Sequence, residues 1–130
     1  MAKILIVDDD AEIREAMRII LESEGHQVTE ADGADTCRQA ITESRPDLLI
    51  LDVMMETPDA GFQLSYELVQ GEHRNMPILM VTGVGQATGF KFDPKKDEDF
   101  LPVTDYVEKP VSPQDLIKRV NSLLQKRRSE

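Results

Sequence analysis

Short apolar runs that end in chemistry recur along the chain in a fixed order: Ile4-Leu-Ile-Val-Asp-Asp-Asp10, Leu48-Leu-Ile-Leu-Asp52, Ile78-Leu-Met-Val-Thr82 and Tyr106-Val-Glu-Lys-Pro110. A continuous apolar run is the pattern of a strand buried on both faces, as in a parallel sheet covered by helices. The stretches between the runs carry helical periodicity. Asp9 or Asp10 can cap a first helix whose apolar positions are Ile13, Met17, Ile20 and Leu21, with Gly25 at its end. A short strand over 28–31 follows, then a turn at Asp32-Gly33 and a second helix through about Glu43. Pro46 forces the chain to extend into the strand at 48–51. Beyond the loop 53–61, a third helix from about Phe62 presents Leu64, Leu68 and Val69, and Pro77 introduces the strand at 78–81. The last helix has Ser112 as N-cap, Pro113 at its first position, Asp115 at its positive end, and a stripe of Ile117, Val120 and Leu124.

This alternation predicts an α/β fold: a doubly wound sheet of parallel strands joined by right-handed crossovers, with helices on both faces. One interval breaks the rhythm. Between Thr82 and Tyr106, where a fourth helix belongs, stand Gly83, Gly85 and Gly89, then Phe90, Phe92, Pro94, Phe100 and Pro102. Glycine and proline at this density argue against a regular helix. The fourth helix is expected to be short, irregular or absent, with the phenylalanines partly packed down.

Composition narrows the class. At 130 residues the chain is expected to form a single domain over 1–130. No apolar stretch approaches the roughly 18 residues of a membrane span, and the apolar run after Lys3 is too short for a secretory signal, so a cytoplasmic location is expected. The formal charge of −10 disfavours binding to a nucleic-acid backbone. Lys126-Arg-Arg128 reads as a solvated helix end matching the helix dipole. Cys37, the only cysteine, reads as a buried helix residue, and His26 and His73 as surface residues.

In open α/β sheets, ligands bind beyond the carboxyl ends of the strands, so the strand-end residues gather at one edge. Asp8, Asp9 and Asp52 placed together need a positive partner. All-oxygen ligation suits Mg²⁺, with Mn²⁺ as the alternative, and Mg²⁺ readily takes phosphate oxygens as further ligands. Lys109 can neutralise a phosphoryl oxygen and Thr82 can donate a hydrogen bond to another. Asp10 fits a helix cap better than a ligand.

With these residues in place, the chain resembles the receiver domain of two-component response regulators over nearly its whole length, in a stand-alone form like the chemotaxis regulators. The resemblance implies a flavodoxin-like sheet in the order 2-1-3-4-5. It implies Mg²⁺ binding by Asp8, Asp9 and Asp52 with the backbone carbonyl of Met54, and transfer of a phosphoryl group from a histidine kinase onto Asp52. Thr82 and Lys109 would contact that group, and Thr82 and Tyr106 would form the switch. Output would pass through altered protein contacts, to a target or a phosphotransfer protein, in a monomer or weak dimer. The chain ends soon after its last helix, so no attached output domain is expected. The chain would be no enzyme beyond its own phosphotransfer and slow dephosphorylation. Apolar Met54 and Val84, two residues past Asp52 and Thr82, cannot orient a hydrolytic water, and slow loss of the phosphoryl group is expected.

The chain departs from the family pattern in two places. The loop at Met55-Glu-Thr-Pro58 before Gly61 carries an apparent insertion, and the interval between Thr82 and Lys109 is longer than usual. Two other readings use the same residues. A degenerate receiver would serve as a constitutive protein-binding module. A phosphatase of the haloacid-dehalogenase type would use the Asp-x-Asp pattern within Asp8-Asp-Asp10, but it leaves Asp52 without a role.

Overall fold

Strand β1 (Lys3–Val7) is an interior strand, because from Ile4 onward its side chains are apolar on both faces and each face finds a separate core. The computed structural model describes residues 2–52, 64, 67, 68, 76–82, 105–108 and 111–129. After β1 come helix α1 (Ala11–Ser23), β2 (Gln27–Ala31), α2 (Ala34–Ser44), β3 (Leu48–Asp52), β4 (Ile78–Thr82), β5 (Asp105–Glu108) and the C-terminal helix α3 (Pro113–Ser129). Leu64, Glu67 and Leu68 are also helical, where the sequence predicts its third helix. The expectations for the loop 53–61, for Val69 and His73, and for the irregular interval up to residue 104 lie outside the described residues.

The five strands form one parallel sheet in the order β2-β1-β3-β4-β5. Alternation along the strands divides the core. Ile4 and Ile6 of β1, Leu48 and Ile50 of β3, and Leu79 and Val81 of β4 pack with Met17 and Leu21 of α1 and with Leu116, Val120 and Leu123 of α3. Leu5, Val7, Leu49, Leu51, Ile78 and Met80 face the other way, against Cys37 and Ile41 of α2 and against Leu64 and Leu68. Each fully buried leucine or isoleucine contributes about 1.5–3 kcal/mol. An exposed ion pair ties α2 to the neighbouring helical segment, where Arg38 meets both carboxylate oxygens of Glu67 at 2.6 and 3.0 Å.

Local signals set the helix ends. Asp10, rather than Asp9, caps α1 by accepting from the N–H groups of Glu12 at 3.0 Å and Ile13 at 3.5 Å. Gly25 follows the helix with φ of 89°, a left-handed conformation that costs glycine little. Ser112 caps α3 by accepting from the N–H of Asp115 at 3.1 Å, as predicted. Arg45 ends α2 with φ of 44°, a conformation that nothing in the sequence signals. Lys3 and Asp47 align the starts of β1 and β3, since the Lys3 N–H donates to Asp47 Oδ2 at 2.9 Å and the Asp47 N–H returns a bond to the Lys3 carbonyl at 2.7 Å.

Two sequence expectations need correction. The buried stripe of α3 is Leu116, Val120 and Leu123, with Leu124 packed beside it, and Ile117 is only half-buried. The helix is rotated relative to the predicted stripe because it must contact α1 and the sheet together, which periodicity alone does not specify. His26 is half-buried rather than on the surface, and its enclosed Nδ1 has no hydrogen-bond partner among the described residues. Desolvation holds its pKa below the usual histidine value, against the opposing pull of Glu24.

Candidate functional site at the carboxyl edge of the sheet

The register of the sheet brings the first two acidic signals together. Val7 pairs with Leu51, so Asp8 and Asp52 occupy the next rung, where β1 runs out. Both continue the alternation of Ile4, Ile6, Leu48 and Ile50, which makes them the polar end of one core layer. They are nearly inaccessible, at 1% exposure for Asp8 and 3% for Asp52. Asp9 is exposed, yet it contributes an oxygen to the same group. Carboxylate oxygens of Asp8, Asp9 and Asp52 all lie within 4.8 Å of one another.

Asp8 is held by its own backbone. Its N–H donates to the Ala31 carbonyl of β2 at 3.1 Å, and its Oδ1 accepts from the N–H of Asp10 at 2.9 Å. Its carbonyl accepts from Nη1 of Arg14, one turn into α1. Asp10 thus acts twice, capping the helix with its side chain and fixing the Asp8 carboxylate with its main chain.

Three carboxylates at this separation repel one another when ionised, and burial of two of them adds a desolvation cost. A divalent cation offsets both terms. The donor set is entirely oxygen, which fits a hard ion such as Mg²⁺ or Mn²⁺ and does not fit a thiolate- or imidazole-preferring metal.

The remaining predicted site residues stand as follows. Thr82 is the last residue of β4, in register with Glu108, and Tyr106 lies in β5, in register with Met80. Lys109, Met54 and Val84 lie outside the described residues. The sequence reading missed Arg14 and Glu30, which it had no reason to single out from other polar positions on a helix and an edge strand. Their part depends on the packing of α1 against β2. Cys37 is buried as predicted, and burial pushes its thiol up to about 12. Among the described residues, no helix is long and apolar enough to cross a membrane.

Comparison with known proteins gives a consistent answer. Residues 4–121 match the family described as the response regulator receiver domain. The chain is 34% identical over 124 residues to the phosphate regulon transcriptional regulatory protein PhoB of Pseudomonas aeruginosa, covering 95% of this chain and 52% of that protein. It is also 34% identical over 125 residues to the transcriptional regulatory protein ResD of Bacillus subtilis, covering 95% of this chain and 48% of that protein. The chain thus spans about half the length of these curated relatives. The fold superposes on the crystal structure of a response regulator receiver domain protein from Clostridium thermocellum with a TM-score of 0.83 and 25% identity, over 98% of each chain. With its parallel sheet in the order β2-β1-β3-β4-β5 and its acids at the strand ends, the chain belongs to the receiver domain family of two-component response regulators.

Proposed function

We propose that this receiver domain accepts a phosphoryl group from a histidine kinase onto Asp52 and signals through the change in charge at that residue. The observation that carries the reading is the cluster of Asp8, Asp9 and Asp52, with oxygens within 4.8 Å, at the carboxyl edge of a sheet of this topology. In the transfer, a carboxylate oxygen of Asp52 attacks phosphorus in line with the departing imidazole. The phosphorus–nitrogen bond breaks as the acyl phosphate forms. Asp8, Asp9 and Asp52, with the backbone carbonyl of Met54, would hold Mg²⁺. When bound, such an ion would supply positive charge against the phosphoryl oxygens and the three carboxylates.

In this reading Lys109 neutralises a phosphoryl oxygen, Thr82 donates its hydroxyl to another, and Tyr106 responds to the movement of Thr82. Signalling then shifts a population between two states of the domain, read by a protein partner in the cytoplasm. Apolar Met54 and Val84 leave hydrolysis slow.

The test is incubation of the full chain with Mg²⁺ and a small-molecule phosphodonor such as acetyl phosphate, followed by intact-mass measurement. One phosphoryl adduct is expected, lost in Asp52→Asn and retained in Asp10→Asn. An adduct that survives Asp52→Asn but not Asp8→Asn would favour a phosphatase-type nucleophile. No adduct from the phosphodonor or from any kinase would favour a constitutive binding module.

A further inference from the structure

Arg14 joins the chain just beyond β1 to strand β2. Its Nη1 donates to the carbonyl of Asp8, just past β1, and its Nε donates to Oε1 of Glu30 in β2 at 3.1 Å. The other oxygen of Glu30 lies 3.4 Å from Nε of Arg18, one turn further along α1. The side chains of Arg14 and Glu30 are 16% and 30% exposed, so solvent reaches the ion pair and its coulombic worth is modest. The main chain of Asp8 is consequently held at both polar atoms, by the Ala31 carbonyl on one side and by Arg14 on the other.

A guanidinium beside three clustered carboxylates is unfavourable for a cation site on coulombic grounds alone, since it repels the incoming ion. Two features make its presence intelligible. Glu30 balances the charge of Arg14, and the hydrogen bond to Asp8 acts on geometry rather than on field. Arg14, Glu30, Ala31, Asp32 and Thr36 also line an open cavity of about 250 Å³, so water and salt reach the ion pair. Salt therefore screens its charge and leaves the hydrogen bond to Asp8 largely unaffected.

Resting on the reading of Asp8 as a metal ligand, we infer that Arg14 is a positioning residue for the divalent cation. It fixes the backbone of Asp8 so that the carboxylate meets those of Asp9 and Asp52, and Glu30 both orients Arg14 and cancels its charge. Outer groups that orient a metal ligand in this way are commonly worth tenfold or more in metal affinity.

Calorimetric titration of the full chain with Mn²⁺ tests this without using phosphotransfer. Arg14→Met keeps the aliphatic stem and removes both hydrogen bonds. It is expected to weaken Mn²⁺ binding by roughly tenfold. Charge alone predicts the opposite sign, because removing a cation near the acids tightens binding. Glu30→Gln leaves the charge of Arg14 unbalanced and is expected to weaken binding by a factor that shrinks towards wild type as salt is raised. Unchanged or tighter binding by folded Arg14→Met overturns the inference. Should that variant fail to fold by circular dichroism, Arg14→Ala, which likewise has no side-chain donor, takes its place, and wild-type affinity in it overturns the inference equally. Failure of the wild-type chain to bind Mn²⁺ removes the metal reading itself, and the inference with it.

Discussion

Asp8 and Asp52 stand on one rung of the sheet, one step past the Val7–Leu51 pair, and each is almost completely buried. Two acids from distant parts of the sequence are thus fixed by strand register rather than by loop conformation. A site built on the ends of core strands is rigid before any ligand arrives, and little of the binding free energy is lost to ordering it.

The first consequence is metal-linked stability. A cation that binds the folded chain and not the unfolded one stabilises it by RT ln(1 + [L]/Kd), about 1.4 kcal/mol at ten times the Kd. Thermal melts with Mg²⁺ are expected to show a higher midpoint than melts with EDTA. Asp8→Asn and Asp52→Asn are expected to lose most of that rise, because each removes a carboxylate of the cluster. A Mg²⁺-dependent rise of full size in both variants would contradict the site.

Asp10 is separable from its neighbours. Its side chain caps α1, and its contact with Asp8 is through the main chain, which substitution preserves. Asp10→Ala is therefore expected to cost about 1 kcal/mol of stability while leaving Mn²⁺ affinity near that of wild type. Asp9→Ala should do the reverse, with a clear loss of affinity and little change in the melt without metal. Chemical denaturation and calorimetry on the two variants decide between these assignments.

His26 sets a pH dependence on the acid side. Burial holds its pKa below 6.5 in the folded chain, so between the folded value and 6.5 the unfolded chain binds more protons. Stability consequently rises with pH through that window and falls as the solution is acidified from neutrality. His26→Asn removes the titration, and its stability relative to wild type is expected to improve steadily on acidification below about pH 6.5. Parallel stability curves for the two proteins would show that His26 takes no part.

Cys37 should be chemically silent in the native state. With its thiol pushed up to about 12 and the side chain fully enclosed, almost no accessible thiolate exists at pH 8. Alkylation by iodoacetamide is expected only through unfolding, so its rate should follow denaturant concentration. Rapid labelling in native buffer would mean that α2 opens locally.

Much of the architecture was legible because local signals and global fold agree. The apolar runs gave the β1, β3 and β4 strands, Gly25 and Pro46 gave element ends, and Ser112 with Pro113 gave the start of α3 within the bounds observed. The cap of α1 was narrowed to Asp9 or Asp10, and geometry selected Asp10, whose side chain reaches the free N–H groups. Periodicity misplaced the rotation of α3 by putting Ile117 in the buried stripe, because only the contact with α1 and the sheet chooses Leu116. His26 was misjudged for a related reason: a lone polar residue in a turn gives no sign of what packs over it.

By itself the sequence determined which residues could do chemistry, since type and strand-end position follow from apolar runs that terminate in Asp8, Asp9 and Asp52. The tertiary structure decided which of them meet. Strand register put Asp8 beside Asp52, and helix packing carried Arg14 to the Asp8 carbonyl and to Glu30, contacts between residues with no shared pattern along the chain. Local patterning encodes hydrogen bonds and burial within an element, whereas the geometry of a site depends on distances between elements, which are fixed only when the core closes.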